Sequence, residues 1–507
     1  MLAAAVLVGA ALVGPDASWD LRNYHLYNGY AVLHGRVGVD LVPAQMQTFN
    51  APTLDVIYNL LLHACNGTPR FLNALLALPY AIAAVLVLLL ARRQLPPLQA
   101  FTAALIGITG AAALPTLATT MNVMLPAACV LGAVLLLLGR ADAPPSEPAC
   151  LGAGLLGGAA VGLHLTTAPY VLGLMMILPV SAGCGRRGRS LAWLIVGGAL
   201  GAGLFGGLWW WTLWQRFGNP VFPYFNNVFR SPWAEPVRIA DLRFMPRSVM
   251  QALFYPLFWA WEPQTLVTEL PSCDPRIALG WMAALVIAVR KAYQRGYPRG
   301  RQQPETDRAA AMLPAFWAMS FVGWEVCFSI LRYLAVLELL SGVLIMMALR
   351  PVLARLSSEW QRTCSVAVVI VLLGLTTYPD WGRATGGQRA VAVTLPAIPG
   401  GSLVVLLDPS PMSYVAAFAA GDLRFVGANN NLIHLGDRNR LAEQIATAIR
   451  TQPGPLWGLE MPRESPGAAD ATLHAYGLRR APGCVAVRSN LDNDGIVACP
   501  LERIRGE

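Results

Sequence analysis

Residues 14–55 read GPDASWDLRNYHLYNGYAVLHGRVGVDLVPAQMQTFNAPTLD, and the rest of the chain is understood from this stretch outward. Asp16, Asp20, Arg22, Asn23, His25, His34, Arg36, Asp40, Gln45, Gln47 and Asn50 crowd together with Trp19, Tyr24, Tyr27 and Tyr30. The sequence on either side is mostly lipid-soluble, and an ordinary loop between membrane helices needs no such mixture. Carboxylates, amides, imidazoles and rings in one place are what a site needs to hold a polar substrate and move a proton. The stretch is the expected seat of the chemistry.

The composition around it is that of a membrane protein. The 507 residues are 55% hydrophobic and 13% charged, with a mean hydropathy of +0.50, where a soluble domain carries about 25% charge. The net charge of +9 rests on arginine, Lys291 being the only lysine. Those arginines sit in short clusters between apolar runs, the pattern of cytoplasmic loops and not of a nucleic-acid surface. The opening MLAAAVLVGAALVGP has a signal-like apolar core but no basic residues before it, so it reads as a short first span.

Apolar runs fall roughly at 1–14, 71–91, 99–114, 117–139, 150–164, 166–182, 190–214, 276–290, 310–330, 333–349 and 363–378, which predicts about eleven spans. The clusters Arg92/Arg93, Arg140, Arg186/Arg187/Arg189, Arg290–Arg308 and Arg350/Arg355/Arg362 all fall on the cytoplasmic side under one condition. The N-terminus must be inside, and the segment 51–69 must not cross. PTLDVIYNLLLHACNG is then a juxtamembrane helix of the first outer loop. The outer regions become 15–70, 215–275 and everything after about 379. Domains are therefore expected at 1–380 (membrane) and 394–507 (soluble, outside).

The C-terminal part has the composition of an α/β domain. SLVVLLD (402–408) reads as a buried strand, Arg438–Arg450 as a helix, and CVAVRSN to GIVAC as a hairpin around Asn490–Gly495. Cys484 and Cys499 flank the hairpin and are candidates for a disulfide in an outer compartment. No CxxC, HExxH or paired metal-ligand spacing occurs, and neither GxxxxGK[ST] nor GxGxxG follows a strand. Nucleotide-driven chemistry is unsupported. No cofactor is expected; the sequence does not support a divalent metal.

A short first span, a long outer loop opening on Asp20 with Tyr24 four residues on, many spans and a C-terminal outer domain resemble the GT-C superfamily of integral-membrane glycosyltransferases. The matching residues are Asp20 and Tyr24 in WDLRNYHLYNGYAVLHGR, with Gly35 closing the helix, and Arg332-Tyr333 at the head of RYLAVLELLSGVL. GLHLTTAPY (162–170) and the GNPVFPYFN loop are similar to segments of bacterial members. Many members have Asp-Glu where this chain has Asp20-Leu21. The resemblance implies a polytopic α-helical fold of the GT-C kind in a bacterial inner membrane, with its site outside. It also implies a lipid-linked sugar donor on a polyprenyl phosphate and a glycan or lipid acceptor. A loop carboxylate would act as general base, an arginine would meet the leaving phosphate, and the anomeric carbon would invert.

Each candidate has a plain alternative. Asp20 is the expected base, or else a helix N-cap or a partner for Arg22 or Arg36. Asp16 reads as a turn residue after Gly14-Pro15, and Asp40 as a second acid. Arg22, Tyr24 and His25 join Asp20 as substrate ligands, although such a histidine is commonly structural. Arg332 suits a phosphate or a snorkelling role. Arg243 and Arg247 suit phosphate too, or salt bridges with Glu262 and Glu269. His164, between two apolar runs, is a candidate as an ionisable group at membrane depth. The rival readings are a surface-polysaccharide polymerase or ligase, a transporter or flippase, and a non-catalytic glycan-binding partner. A transporter predicts internal repeats with broken spans, and no convincing repeat is visible.

Overall fold

The computed structural model describes residues 1–139, 145–181, 187–296, 304–385, 387–492 and 495–504. Arg140, Arg186 and the middle of the Arg290–Arg308 cluster lie outside the described residues, as does the tip of the Asn490–Gly495 turn. Helices stand where the apolar runs predict them: α1 (Leu2–Leu12), then α2 (Leu26–Leu33) and α3 (Thr53–Cys65) in the first loop, then α4 (Pro69–Leu76), α5 (Leu78–Arg92), α6 (Pro97–Ile108) and α7 (Met124–Leu138). They continue as α8 (Glu147–Leu163), α9 (Ala168–Ser181), α10 (Arg187–Ala202), α11 (Leu208–Phe217), α12 (Pro275–Gly296), α13 (Pro304–Cys327), α14 (Ala335–Leu353) and α15 (Ser358–Gly374). Among the described residues four stretches are long and apolar enough to cross a bilayer: Pro69–Arg92, Gly188–Phe217, Ala310–Cys327 and Leu331–Leu353. The chain is a multi-pass membrane protein.

Four of the arginines predicted to share a side bond to neighbouring loops. Arg93 donates to the carbonyl of Gly139, Arg350 to Gln94 (3.0 Å) and Arg290 to Ala348 (2.8 Å), and Arg189 meets Glu147 at 3.3 Å. These contacts tie together the loops at one end of the bundle. The segment 51–69 forms the 13-residue α3, about 20 Å long, short of the roughly 30 Å hydrocarbon core. It packs on α2 at the opposite end.

Several helices stop short of the bilayer thickness, and α6 shows how that is tolerated. It ends at Ile108, and the turn after it turns three N–H groups inward. Asp274 accepts from Ala111 (2.8 Å), and Glu338 accepts from Ala112 and Ala113 (both 2.8 Å). Arg276, fully buried, bonds Asp274 and the Ile106 carbonyl. Irregular backbone at membrane depth is admissible where protein groups satisfy it. Close approach of helices is secured by glycine. A Cβ on Gly154 or Gly158 of α8 would lie 2.1 or 2.0 Å from the carbonyl oxygen of Leu194 or Gly198 on α10, the small-residue seam that membrane helices use where solvent gives no hydrophobic drive.

The C-terminal part is built on a sheet of order β3-β2-β4-β8-β5: β3 (Arg424–Gly427), β2 (Leu403–Leu406), β4 (Leu456–Glu460), β8 (Val497–Arg503) and β5 (Leu478–Arg480). β3, β2 and β4 run parallel, so α16 (Arg440–Thr451) supplies the crossover from β3 to β4, and α17 (Ala468–Ala475) leads from β4 to β5. Asn439 caps α16 by accepting from Ala442. The predicted hairpin is only half made. β6 (Val485–Ala486) pairs β8, but β7 (Arg488–Ser489) turns away to pair β1 (Val393–Thr394). Cys484 and Cys499 are joined as a disulfide, with Cα atoms 4.1 Å apart. Leu41 of the first loop exchanges backbone bonds with Phe425 and Gly427 (both 2.9 Å), adding a rung beside β3. The domain is therefore docked on the first loop.

Candidate active site

The loop after α1 does not enter an ordinary helix. Leu21–His25 is a π-turn, closed by Leu26 N–H bonding back five residues to the carbonyl of Leu21. In an α-helix, residues five apart point about 140° from each other. The wider π-turn, often found at functional sites, brings Asp20 and His25 toward one side. Asp20 is in helical conformation and makes no capping bond, so the N-cap alternative falls away.

Asp20 meets Arg332 at 3.4 Å, with side chains only 7% and 18% exposed. Arg332 opens the turn Leu331–Leu334 before α14. Its guanidinium carbon lies 5.5 Å from the Tyr333 ring centre and 5.7 Å from that of Trp381, close enough for both ring faces to support the charge. The pair joins positions over 300 residues apart at the end of the bundle away from the arginine-tied loops. Burial, and then the Asp20 charge, push the Tyr24 phenol well above its ordinary value, so it is a proton donor at any working pH. The partly buried Tyr224 of the second loop is also held neutral, first by burial and then by Tyr333, and its hydroxyl lies 3.5 Å from Asn50.

Asp55, which sequence reasoning passed over, stands next to this pair. His25 Nδ1 lies 2.6 Å from its carboxylate, and Asn122 Nδ2 donates to the same oxygen at 2.8 Å. His25 and Asp55 are almost wholly buried. The alignment depends on a contact between helices: a Cβ on Gly29 of α2 would be 2.2 Å from the Asp55 carbonyl oxygen and from the Asn59 amide. Leu21 is fully buried, so the second carboxylate comes from α3 and not from the residue after Asp20. The only sequence signal for it is a lone aspartate in the first turn of an otherwise apolar helix.

His164 caps α8 in extended conformation, packs edge-on to Tyr333 at 5.8 Å and bonds Thr166 at 2.5 Å. Burial, with His25 and Arg332 adding to it, lowers its pKa to about 3. It is a neutral wall of the site. An apolar cavity of about 140 Å³ runs beside Asn122, between Leu54 and Tyr58 of α3 and Tyr80 of α5.

Four candidates lie elsewhere. Asp40, expected as a second acid, is instead an anchor: it accepts from Arg36 Nε (3.0 Å) and Nη2 (2.5 Å), Tyr27 Oη (2.9 Å) and the Phe425 N–H (2.9 Å). With these donors satisfied its oxygens have no catalytic freedom. Arg22 is turned to the C-terminal domain, 3.4 Å from Asp492. Arg243 is exposed and forks onto Asp241 (2.9 and 2.6 Å), not onto Glu262 or Glu269; that bond, before any other cause, draws the Asp241 carboxyl below its usual range. Arg247 is exposed on the second loop. Asp16 is the turn residue predicted, accepting from Ser18, and it also ties down Thr120. Among the described residues no group of three or more His, Cys, Asp or Glu is placed to hold a metal ion.

No family model and no curated protein matches the chain. Solved structures do. ArnT from Cupriavidus metallidurans, bound to undecaprenyl phosphate and in the apo state, superposes in both forms with a TM-score of 0.52 at 15% identity, over 98% of this chain and 96% of that one. An oligosaccharyltransferase from Archaeoglobus fulgidus gives 0.47 at 14% identity, over 94% of this chain and 72% of that one. The likeness to ArnT, end to end in both chains, is one of architecture: a polytopic α-helical bundle followed by a strand-containing C-terminal domain.

Proposed function

We propose that this GT-C fold works as a glycosyltransferase, taking a sugar from a polyprenyl-phosphate donor and passing it to a glycan or lipid acceptor on the outer side of a bacterial inner membrane. The observation that carries the reading is the buried Asp20–Arg332 pair at the outer loop end of the bundle. One side chain accepts a proton and the other binds phosphate. That one of the two ArnT structures holds undecaprenyl phosphate supports a donor of that chemical class.

Arg332 is held between two rings and a carboxylate, so its planar donor fork is oriented before any phosphate arrives. A phosphate that engages Arg332 competes with Asp20 for the same cation. Asp20 is thereby freed as the donor binds. The acceptor hydroxyl then loses its proton to Asp20, its oxygen bonds to the anomeric carbon, and the bond from that carbon to the phosphate oxygen breaks. The charge left on the lipid phosphate falls to Arg332. A single displacement inverts the anomeric centre. Tyr24 and Tyr224, kept protonated, can donate to sugar oxygens, and no cofactor is invoked.

The test is glycan transfer in membranes supplied with a pool of lipid-phosphate sugars, comparing wild type with Asp20→Asn at equal expression. Loss of the base should cost on the order of 10²–10⁴ in rate. Equal rates would make Asp20 a scaffold residue. Movement of the lipid across the bilayer without transfer, in wild type, would replace the reading by a flippase.

A further inference from the structure

The reading above uses Asp20 and Arg332 and leaves the neighbouring imidazole without a task. His25 is 1% exposed, and its two nitrogens are in opposite situations. Nδ1 faces the Asp55 carboxylate at 2.6 Å. An ionised carboxylate only accepts, so Nδ1 carries the proton and Nε2 keeps a lone pair. That Nε2 is buried with no hydrogen-bond partner. A buried polar atom left unmatched is costly; among the described residues His25 Nε2 shares that state with others, Arg22 Nε of the same loop included, but it is the one that belongs to a carboxylate-held imidazole beside Tyr24. The groups around His25 are Asp55 from α3, Asn122 from the loop before α7, the Tyr24 ring at 4.0 Å, and the charge-coupled His164 at the end of α8, while Asp20 stands five residues before it at the start of the same π-turn.

Resting on the transfer reading, we propose that the Asp55–His25 pair is the proton carrier of this site. It takes the acceptor's proton from Asp20 and delivers it to the departing lipid phosphate. In the transfer step the acceptor O–H bond breaks and its proton goes to the Asp20 carboxylate. Asp20 then gives that proton to His25 Nε2, becoming a carboxylate again. The imidazolium, stabilised through Nδ1–H by Asp55, passes it to an oxygen of the lipid phosphate, whose second ionisation lies near pH 6. Sugar and proton have then both changed partner, and the enzyme is returned to its starting state. Asp55 is a positioning residue: its carboxylate, itself held by the Asn122 amide, fixes which nitrogen is bare. The arrangement also explains the π-turn, since a regular helix would send His25 away from Asp20.

The experiment uses the full chain in lipid nanodiscs with ¹⁵N-histidine, undecaprenyl phosphate as the probe, and His25→Gln to assign the resonance among the six histidines. The expected state without lipid is protonated Nδ1 and bare Nε2, and on adding undecaprenyl phosphate at constant pH the Nε2 signal moves to that of a protonated nitrogen. Asp55→Asn should abolish the tautomer preference and that change while undecaprenyl phosphate still binds. Both variants should lower transfer by about a hundred-fold or more, and free imidazole should partly restore a His25→Gly chain. A protonated Nε2 in the lipid-free protein, or an Nε2 signal indifferent to bound lipid, overturns the proton carrier and leaves the transfer reading standing. Failure of undecaprenyl phosphate to bind wild type overturns the donor reading and the carrier together.

Discussion

Two acid clusters hang from the same loop, twenty residues apart, and they differ in how completely they are satisfied. Asp40 receives Arg36 twice, Tyr27 and a backbone N–H from the C-terminal sheet, while Arg36 also donates to the carbonyls of Gly421 and Leu423. Asp20 and His25, by contrast, have one long ion pair between Asp20 and Arg332 and a bare buried nitrogen. A network with every donor and acceptor matched is rigid and finished, whereas one with a gap has room for a reactant. The same residue types thus build a saturated anchor in one place and a candidate site in the other. Sequence alone ranks the two aspartates together; hydrogen-bond completeness separates them.

The sharpest way to break this contrast is Asp40→Asn. It leaves the Arg36 charge buried without its partner, which costs about 3–5 kcal/mol. The expected outcome is a large drop in denaturation midpoint and easier proteolysis of the C-terminal domain, with transfer per folded molecule close to wild type. Transfer lost without loss of stability would return Asp40 to the chemistry.

The disulfide belongs to the finished side of the molecule and should behave so. Its 15-residue separation predicts about 3 kcal/mol in the chain-entropy account. Reduction, or Cys484→Ser, should lower the melting temperature of the C-terminal domain and leave lipid-phosphate binding unchanged.

How far the sequence reached follows the same division. Apolar runs foretold most of the helices, because burial in lipid acts on each segment by itself. Asp20 and Arg332, which the structure brings to 3.4 Å, could be picked out as candidates because loop and span-head charges are costly enough to stand out. Asp55 could not, since its importance lies in α3 folding back on α2 through Gly29, a long-range contact with no local signature. Asp40 misled for the converse reason: its partners come from Phe425, nearly 400 residues away. The β7 departure from the hairpin arises likewise from a distant strand, β1. Gly29→Ala tests the hidden contact. The added methyl must move α3 on the scale of an ångström, and a misplacement of that size in a catalytic group can cost about a hundred-fold in rate. The helix should still form with a lowered melting point, since overpacking costs about 1–3 kcal/mol, so the expected result is a rate loss per folded molecule, and an unchanged rate per folded molecule would show that Asp55 tolerates the shift.

The smallest effect separates the two histidines of the site. His164 has no carboxylate, and burial holds its pKa down to about 3, against an ordinary value near 6.5. Below pH 6.5 the unfolded chain binds a proton at this residue that the folded chain refuses until about pH 3, so stability rises with pH across that window and is lost as the pH falls through it. His164→Asn should remove that part of the acid limb, a gain of about 1.4 kcal/mol at pH 5.5, read as a flatter dependence of melting temperature on pH. Because His164 is neutral wherever the protein works, the same change should leave the pH profile of transfer where it was, whereas His25→Gln should alter it. A transfer profile displaced by His164→Asn would mean that the proton travels by way of His164, and the contrast between the carboxylate-held imidazole and the bare one would fail.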